Sequence, residues 1–189
     1  MTTESDLETA ARVFAIAAHG VQLYGRGAGA RPYVAHLDEV AAVLRELASP
    51  AGDVELAAAY LHDVIEDTGT TAAAIEAAFA RFGAGVGAQL AAIAAFCTDA
   101  PGANRKQRKA ATYERMRRDV AAAPAWIHAA VRVKLADRIA NLRACHRDRS
   151  SLLEMYQRES ASFRAALFVP GLCDPMWAEH DRLVGGTGG

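Results

Sequence analysis

Long apolar runs are missing from this 189-residue chain. No stretch approaches the roughly 20 apolar residues that a membrane-spanning helix needs. The first ten residues, MTTESDLETA, are acidic rather than basic, and the apolar run after them is interrupted by Arg12 and His19. That is not the pattern of a signal peptide, so a cytoplasmic protein is expected. Cysteine is scarce: Cys97, Cys145 and Cys173 form no CxxC pair, and an odd count argues against a disulfide framework. Reduced thiols are the simplest reading. Aromatics make up only 7% while alanine abounds, which favours close-packed helices over a β-sandwich. Charge of one sign is lacking too. With 21 basic and 22 acidic residues the net charge is −1, so no global field attracts nucleic acid or an anionic membrane.

What is present is helical periodicity almost throughout, so the fold is expected to be all-α. Ser5-Asp6-Leu7-Glu8 reads as a capping box opening a helix to about His19. Glycines and a proline make 25–32 a loop. A second helix is expected from about His36 to Ala48, and a third, capped by Asp53, through about Asp67. Further helices follow to about Gly83, over 86–97, over 105–122, from Pro124 to about Arg147, over 151–168, and in a short last segment. No strand alternation of useful length appears. Length and the absence of a linker or repeat give one domain over 1–184, then a flexible glycine-rich tail over 185–189. A chain of this size buries roughly 70% of its unfolded surface and needs no staple to fold.

The chemistry concentrates in Tyr60-Leu61-His62-Asp63-Val64-Ile65-Glu66-Asp67-Thr68. On a helix, one face of this segment is apolar and the other carries His62, Asp63, Glu66 and Asp67. An exposed acidic face is the plain reading. Three carboxylates within two turns repel one another, however, unless a cation lies among them. An adjacent imidazole and carboxylate suit a borderline or hard divalent ion. Further ligands must then come from elsewhere, and His36 and Asp137 are available. Taken alone, His36 could equally be a helix cap, and Asp137 a salt-bridge partner of Arg138.

The order His … His-Asp … Asp changes that balance, because with it the chain resembles the HD phosphohydrolase superfamily. More narrowly, it resembles the RelA/SpoT-type hydrolase domains and the small alarmone hydrolases. The matching segments are Pro32-Tyr33-Val34-Ala35-His36, His62-Asp63-Val64-Ile65-Glu66-Asp67-Thr68, Phe82-Gly83, and Val133-Lys134-Leu135-Ala136-Asp137-Arg138 with Asn141-Leu142-Arg143. They fall in order within roughly residues 10–147.

This resemblance implies a single-domain HD-type helical bundle holding one Mn²⁺ through His36, His62, Asp63 and Asp137. The implied activity is removal of the 3′-pyrophosphate from a guanosine alarmone such as (p)ppGpp, or from an adenosine counterpart. Glu66 and Asp67 would act on the attacking water. Asn141 would contact the ribose or 3′-phosphate side. From the residues themselves, Lys134 could equally meet a phosphate or be solvated, Arg105 is a candidate phosphate contact, Tyr24 or Arg26 could stack on a base, and Tyr33 is a further candidate for the nucleotide site. A basic run at Arg105 opens a helix whose N-terminus suits phosphate. The implied partner is a small nucleotide; a homo-oligomer is compatible with the sequence. One departure concerns the base: the resemblance implies a basic residue five positions after His19, where this chain has Tyr24, and a loop to Pro32 about three residues shorter than the one here. Alternatives are another superfamily phosphatase, acting on a nucleoside monophosphate or NADPH, and a non-catalytic nucleotide-binding regulator. The Glu66-Asp67 pair favours hydrolysis.

Overall fold

A computed structural model of the chain describes residues 5–25 and 29–185. Arg26 and the tail beyond Gly185 lie outside these residues. The all-α expectation holds. The elements are α1 (Asp6–His19), α2 (Val34–Leu47), α3 (Asp53–Leu61), α4 (Val64–Thr68), α5 (Ala72–Phe79), a 3-10 turn (Ala80–Phe82), α6 (Val86–Cys97), α7 (Arg105–Ala122), α8 (Ile127–Arg147), α9 (Leu152–Leu167) and α10 (Asp174–Gly185). Between α1 and α2 two short strands, β1 (Leu23–Tyr24) and β2 (Arg31–Pro32), pair antiparallel. They are too short for any alternation to announce them. Proline favours extended backbone in the residue before it, here Arg31, and Tyr24 pairs with that residue.

Two helices run through the centre, and their sequences explain why. In α3, Ala57, Ala58, Ala59, Tyr60 and Leu61 are all buried, and in α8 the same holds for Val131, Val133, Leu135, Ala136, Ile139, Ala140 and Leu142. A helix buried around most of its circumference must be ringed by others. Accordingly α3 packs against α1, α2, α6 and α8, while α2 and α10 also flank α8. The small side chains Ala11 and Ala15 on α1, and Ala57 to Ala59 on α3, are fully buried. Outside the centre, α5 lies so close to α6 that a Cβ added at Gly87 would collide with the Glu76 carbonyl oxygen.

Three local expectations are corrected, and Pro124 stands near the start of its helix as expected. The third helix does not run unbroken to Asp67: it ends at Leu61, and His62-Asp63 form a turn before α4 begins. Helix propensity could not reveal this break, because Val-Ile-Glu-Asp continues a helical pattern. Gly52, not Asp53, is the cap of α3, with its N–H donating to Glu55 Oε2 at 3.0 Å. At α1 the Ser5 hydroxyl does accept from the Glu8 N–H, but the buried Glu8 carboxylate turns to Arg45 instead of closing a capping box. Pro124 precedes α8, its carbonyl accepting from the Ile127 N–H at 2.9 Å.

Candidate metal centre

Three separate elements bring the ligand candidates together. His36 lies in the first turn of α2, where its N–H donates to the Tyr33 carbonyl at 2.9 Å. His62 stands at the break between α3 and α4, and Asp137 projects from the middle of α8. All three are buried, at 1%, 0% and 8% exposure. One ligand atom from each falls within 4.8 Å of the others. His36 Nε2 lies 3.4 Å from Asp137 Oδ1, and His62 Nε2 lies 3.7 Å from it. Asp63 joins from the side, its Oδ2 3.0 Å from His62 Nε2 and 3.8 Å from His36 Nε2. Donors held by bonds of about 2.1 Å around one ion stand roughly 3.0–3.5 Å apart; two of the four separations lie in that range and two just beyond it, so the four side chains could close on one ion.

The hydrogen bonding points the same way. His62 Nδ1 lies 2.7 Å from the Ala59 carbonyl oxygen, which can only accept. That assigns the proton of a neutral ring to Nδ1 and turns the Nε2 lone pair toward the cluster. His62 Nε2 is buried yet makes no hydrogen bond of good geometry, despite two carboxylates nearby. Two imidazole nitrogens and two carboxylate oxygens are a donor set for a divalent ion. The residues therefore fit a metal.

Electrostatics favours a positive charge at this point. Burial opposes a charged His62, yet Asp63 and Asp137 outweigh it and push its pKa up to about 10. Burial likewise opposes charge on both carboxyls. The charge of His62 still holds Asp63 well below the usual carboxylate range, and Lys134, with His36 and His62, does the same for Asp137. Lys134 Nζ donates to Asp137 Oδ2 at 3.1 Å. Although burial opposes its charge, Asp137 ahead of Cys97 and Asp63 keeps it a cation.

The other candidate residues form two groups. Close to the cluster, Asn141 Nδ2 donates to Asp137 Oδ1 at 2.5 Å, and Tyr24 Oη donates to Asn141 Oδ1 at 2.8 Å. Tyr33 Oη donates to Asp63 Oδ2 at 2.6 Å, and its ring stacks on His19 at 4.3 Å. On α4, Glu66 and Asp67 are partly exposed. Glu66 Oε2 accepts from the Asp99 N–H at 2.9 Å, and burial raises its pKa against the pull of that bond. Arg105 is committed elsewhere, with Nε and Nη2 on the Glu159 carboxylate at 2.8 and 3.1 Å.

Sequence reasoning missed several partners. Gln22 Nε2 donates to Asp67 Oδ2 at 2.8 Å while its Oε1 meets His19 Nδ1 at 2.9 Å. Lys109 donates to Asp99 Oδ1 at 2.8 Å, and burial followed by Lys134 lowers its pKa. Both are tertiary contacts with no local signature. A cavity of about 830 Å³ opens beside Tyr24 and Asn141, with Asp148, Ser150 and Tyr156 among its lining. Its far wall comes from the start of α9, which no sequence motif marked.

A helical domain with a buried cluster of two histidines and two carboxylates that could hold a divalent ion defines the class. The chain belongs to the HD domain family, whose match spans residues 11–167. It is 39% identical over 117 residues to guanosine-3′,5′-bis(diphosphate) 3′-pyrophosphohydrolase MESH1 of Danio rerio, covering 61% of this chain and 57% of that protein. To the protein of the same name from Mus musculus it is 36% identical over 116 residues, with coverage of 61% and 57%. The matched region is thus little more than half the length of these curated relatives. A solved structure, described as a metazoan ortholog of SpoT that hydrolyzes ppGpp and plays a role in starvation responses, superposes with a TM-score of 0.75. The superposition covers 97% of this chain and 96% of that one at 22% identity, a likeness of fold. Among the described residues no helix is long and apolar enough to cross a membrane.

Proposed function

We propose that the chain is a Mn²⁺-dependent hydrolase that releases the 3′-pyrophosphate of a guanosine or adenosine alarmone. The observation that carries this reading is the convergence of His36, His62 and Asp137 within 4.8 Å around a buried, unbonded imidazole nitrogen. The curated relatives bear the name of that activity toward a guanosine bis(diphosphate). When bound, a divalent ion polarises a phosphoryl oxygen and lowers the pKa of water. His36, His62, Asp63 and Asp137 would hold it.

The chain's own groups divide the remaining work. Glu66 has one carboxylate oxygen fixed by the Asp99 amide, which leaves the other to orient water and take its proton. Its raised pKa suits a proton acceptor. Asp67, held by Gln22, supports it from the next position. Lys134 keeps a positive charge beside Asp137, where it can meet a phosphate oxygen. Arg105 is neutralised by Glu159 and takes no part in phosphate binding, while Tyr33 keeps Asp63 oriented. Asn141 and Tyr24 stand where the ligand cluster meets the cavity, the natural seat for ribose and base.

The test is to supply purified protein and Mn²⁺ with ppGpp, or with a 3′-pyrophosphorylated adenosine nucleotide, and to assay inorganic pyrophosphate. Hydrolysis of ppGpp consumes one water and yields GDP and pyrophosphate. Absence of pyrophosphate release from both substrates, in protein loaded with Mn²⁺, would refute the reading.

A further inference from the structure

Tyr24 touches the ligand cluster at two points. Its ring lies flat on His36, with centroids 4.5 Å apart and planes 4° from parallel. Its hydroxyl donates to Asn141 Oδ1 at 2.8 Å. Asn141 Nδ2 in turn donates to Asp137 Oδ1 at 2.5 Å and to the Asp137 carbonyl at 3.0 Å. The directions are fixed by chemistry. An ionised carboxylate can only accept, so the amide nitrogen must face Asp137 and the amide oxygen must face Tyr24. Burial raises the phenol pKa strongly, so the hydroxyl keeps the proton it donates.

The ring is otherwise occupied. The Arg31 guanidinium lies 5.8 Å from its centroid, anchored by a 2.9 Å bond to Glu39, and Tyr33 meets it edge-on at 6.1 Å. Pairing of Tyr24 with Arg31 in the strand register holds both in place. A ring packed on His36 and flanked by Arg31 and Tyr33 is poorly free to stack on a base.

We propose that Tyr24 is a positioning residue for the metal centre: through Asn141 it orients Asp137, and through its ring it fixes the plane of His36. This rests on the metal reading given above. Groups that hold ligands from behind typically change metal affinity by 10- to 100-fold when removed. Tyr24→Phe keeps the stack and deletes only the hydroxyl, so it isolates the Asn141 route.

The experiment is a calorimetric or competition titration with Mn²⁺ alone, with no nucleotide present. The dissociation constant should rise roughly 10- to 100-fold in Tyr24→Phe and by a similar factor in Asn141→Ala. In the double variant the losses should not multiply, because both substitutions break one chain of bonds. The melting temperature of the metal-free Tyr24→Phe protein separates loss of fold from loss of affinity, and Asn141→Ala tests the same bond from its other end. Unchanged Mn²⁺ affinity in both single variants, with Tyr24→Ala raising KM for nucleotide, would overturn the proposal and make Tyr24 a substrate contact. A wild-type chain that binds no Mn²⁺ would overturn the metal reading and this proposal together.

Discussion

Tyr33 Oη and Asp63 Oδ2 lie 2.6 Å apart, joining the entry of α2 to the turn that breaks α3 from α4. Burial, together with the Asp63 charge, raises the Tyr33 pKa far above its ordinary value, so the phenol stays a donor. The bond holds one carboxylate of the ligand cluster against rotation. Tyr33→Phe should therefore weaken Mn²⁺ binding by about 10-fold or more. Stacking on His19 is retained, so the fold should survive. A competition titration beside a thermal melt checks both parts, and equal affinity in the two proteins would make the bond dispensable.

Glu66 separates catalysis from metal binding. It lies outside the ligand cluster, bonded to the Asp99 amide. Glu66→Gln should keep one ion per chain and the wild-type melting temperature, yet lose about 10²- to 10³-fold in kcat. Rates within a few-fold of wild type would reduce Glu66 to a surface carboxylate.

Legibility in the sequence divides along physical lines. The helices could be read because their periodicity and caps are local, as at Thr71, whose hydroxyl accepts from the Ala74 N–H at 3.1 Å. Asp137 and Asn141, four residues apart, share one face of α8 and bond there. The meeting of His36, His62 and Asp137 could be anticipated only through their order along the chain, since each comes from a different element. The break at His62-Asp63 was hidden, because tertiary demands override propensity there. Gln22 was invisible for another reason: its partner Asp67 is 45 residues away. Tyr24 was legible as a candidate for the nucleotide site, but its bond to Asn141, 117 residues on, was not.

Arg143 gives the stability a defined pH dependence. Its Nη1 and Nη2 donate to Glu46 at 2.7 and 3.0 Å, and its Nε to Glu179 at 2.9 Å, tying α2 and α10 to α8. The Glu46 carboxyl is held below its usual range by Arg143, and Glu179 by Arg182 with Arg143. A depressed carboxyl stabilises the fold above its unfolded pKa, about 4.3, and loses that contribution as pH falls through the folded value. Arg143→Met should lower stability by about 1 kcal/mol at pH 7, with the gap closing toward pH 3. Melting curves across that range check the sign; a gap that widens in acid would contradict it.

Gly87 is where α5 and α6 come closest. A methyl group there meets the Glu76 carbonyl, which is backbone and cannot swing aside. Gly87→Ala should cost about 1–3 kcal/mol and leave Mn²⁺ affinity intact. Denaturant unfolding measures the first and titration the second; an unchanged midpoint would mean the helices part without penalty.

The central claim is that the buried imidazole of His62 and its carboxylate neighbours hold the ion on which hydrolysis depends. Its most direct test is metal analysis of wild type and His62→Gln after Mn²⁺ loading and desalting, with pyrophosphate release assayed on the same samples. The account predicts one Mn²⁺ per wild-type chain, and loss of both ion and pyrophosphate release in a variant that still folds. A folded His62→Gln protein that retains a full equivalent of Mn²⁺ and the wild-type rate would contradict it.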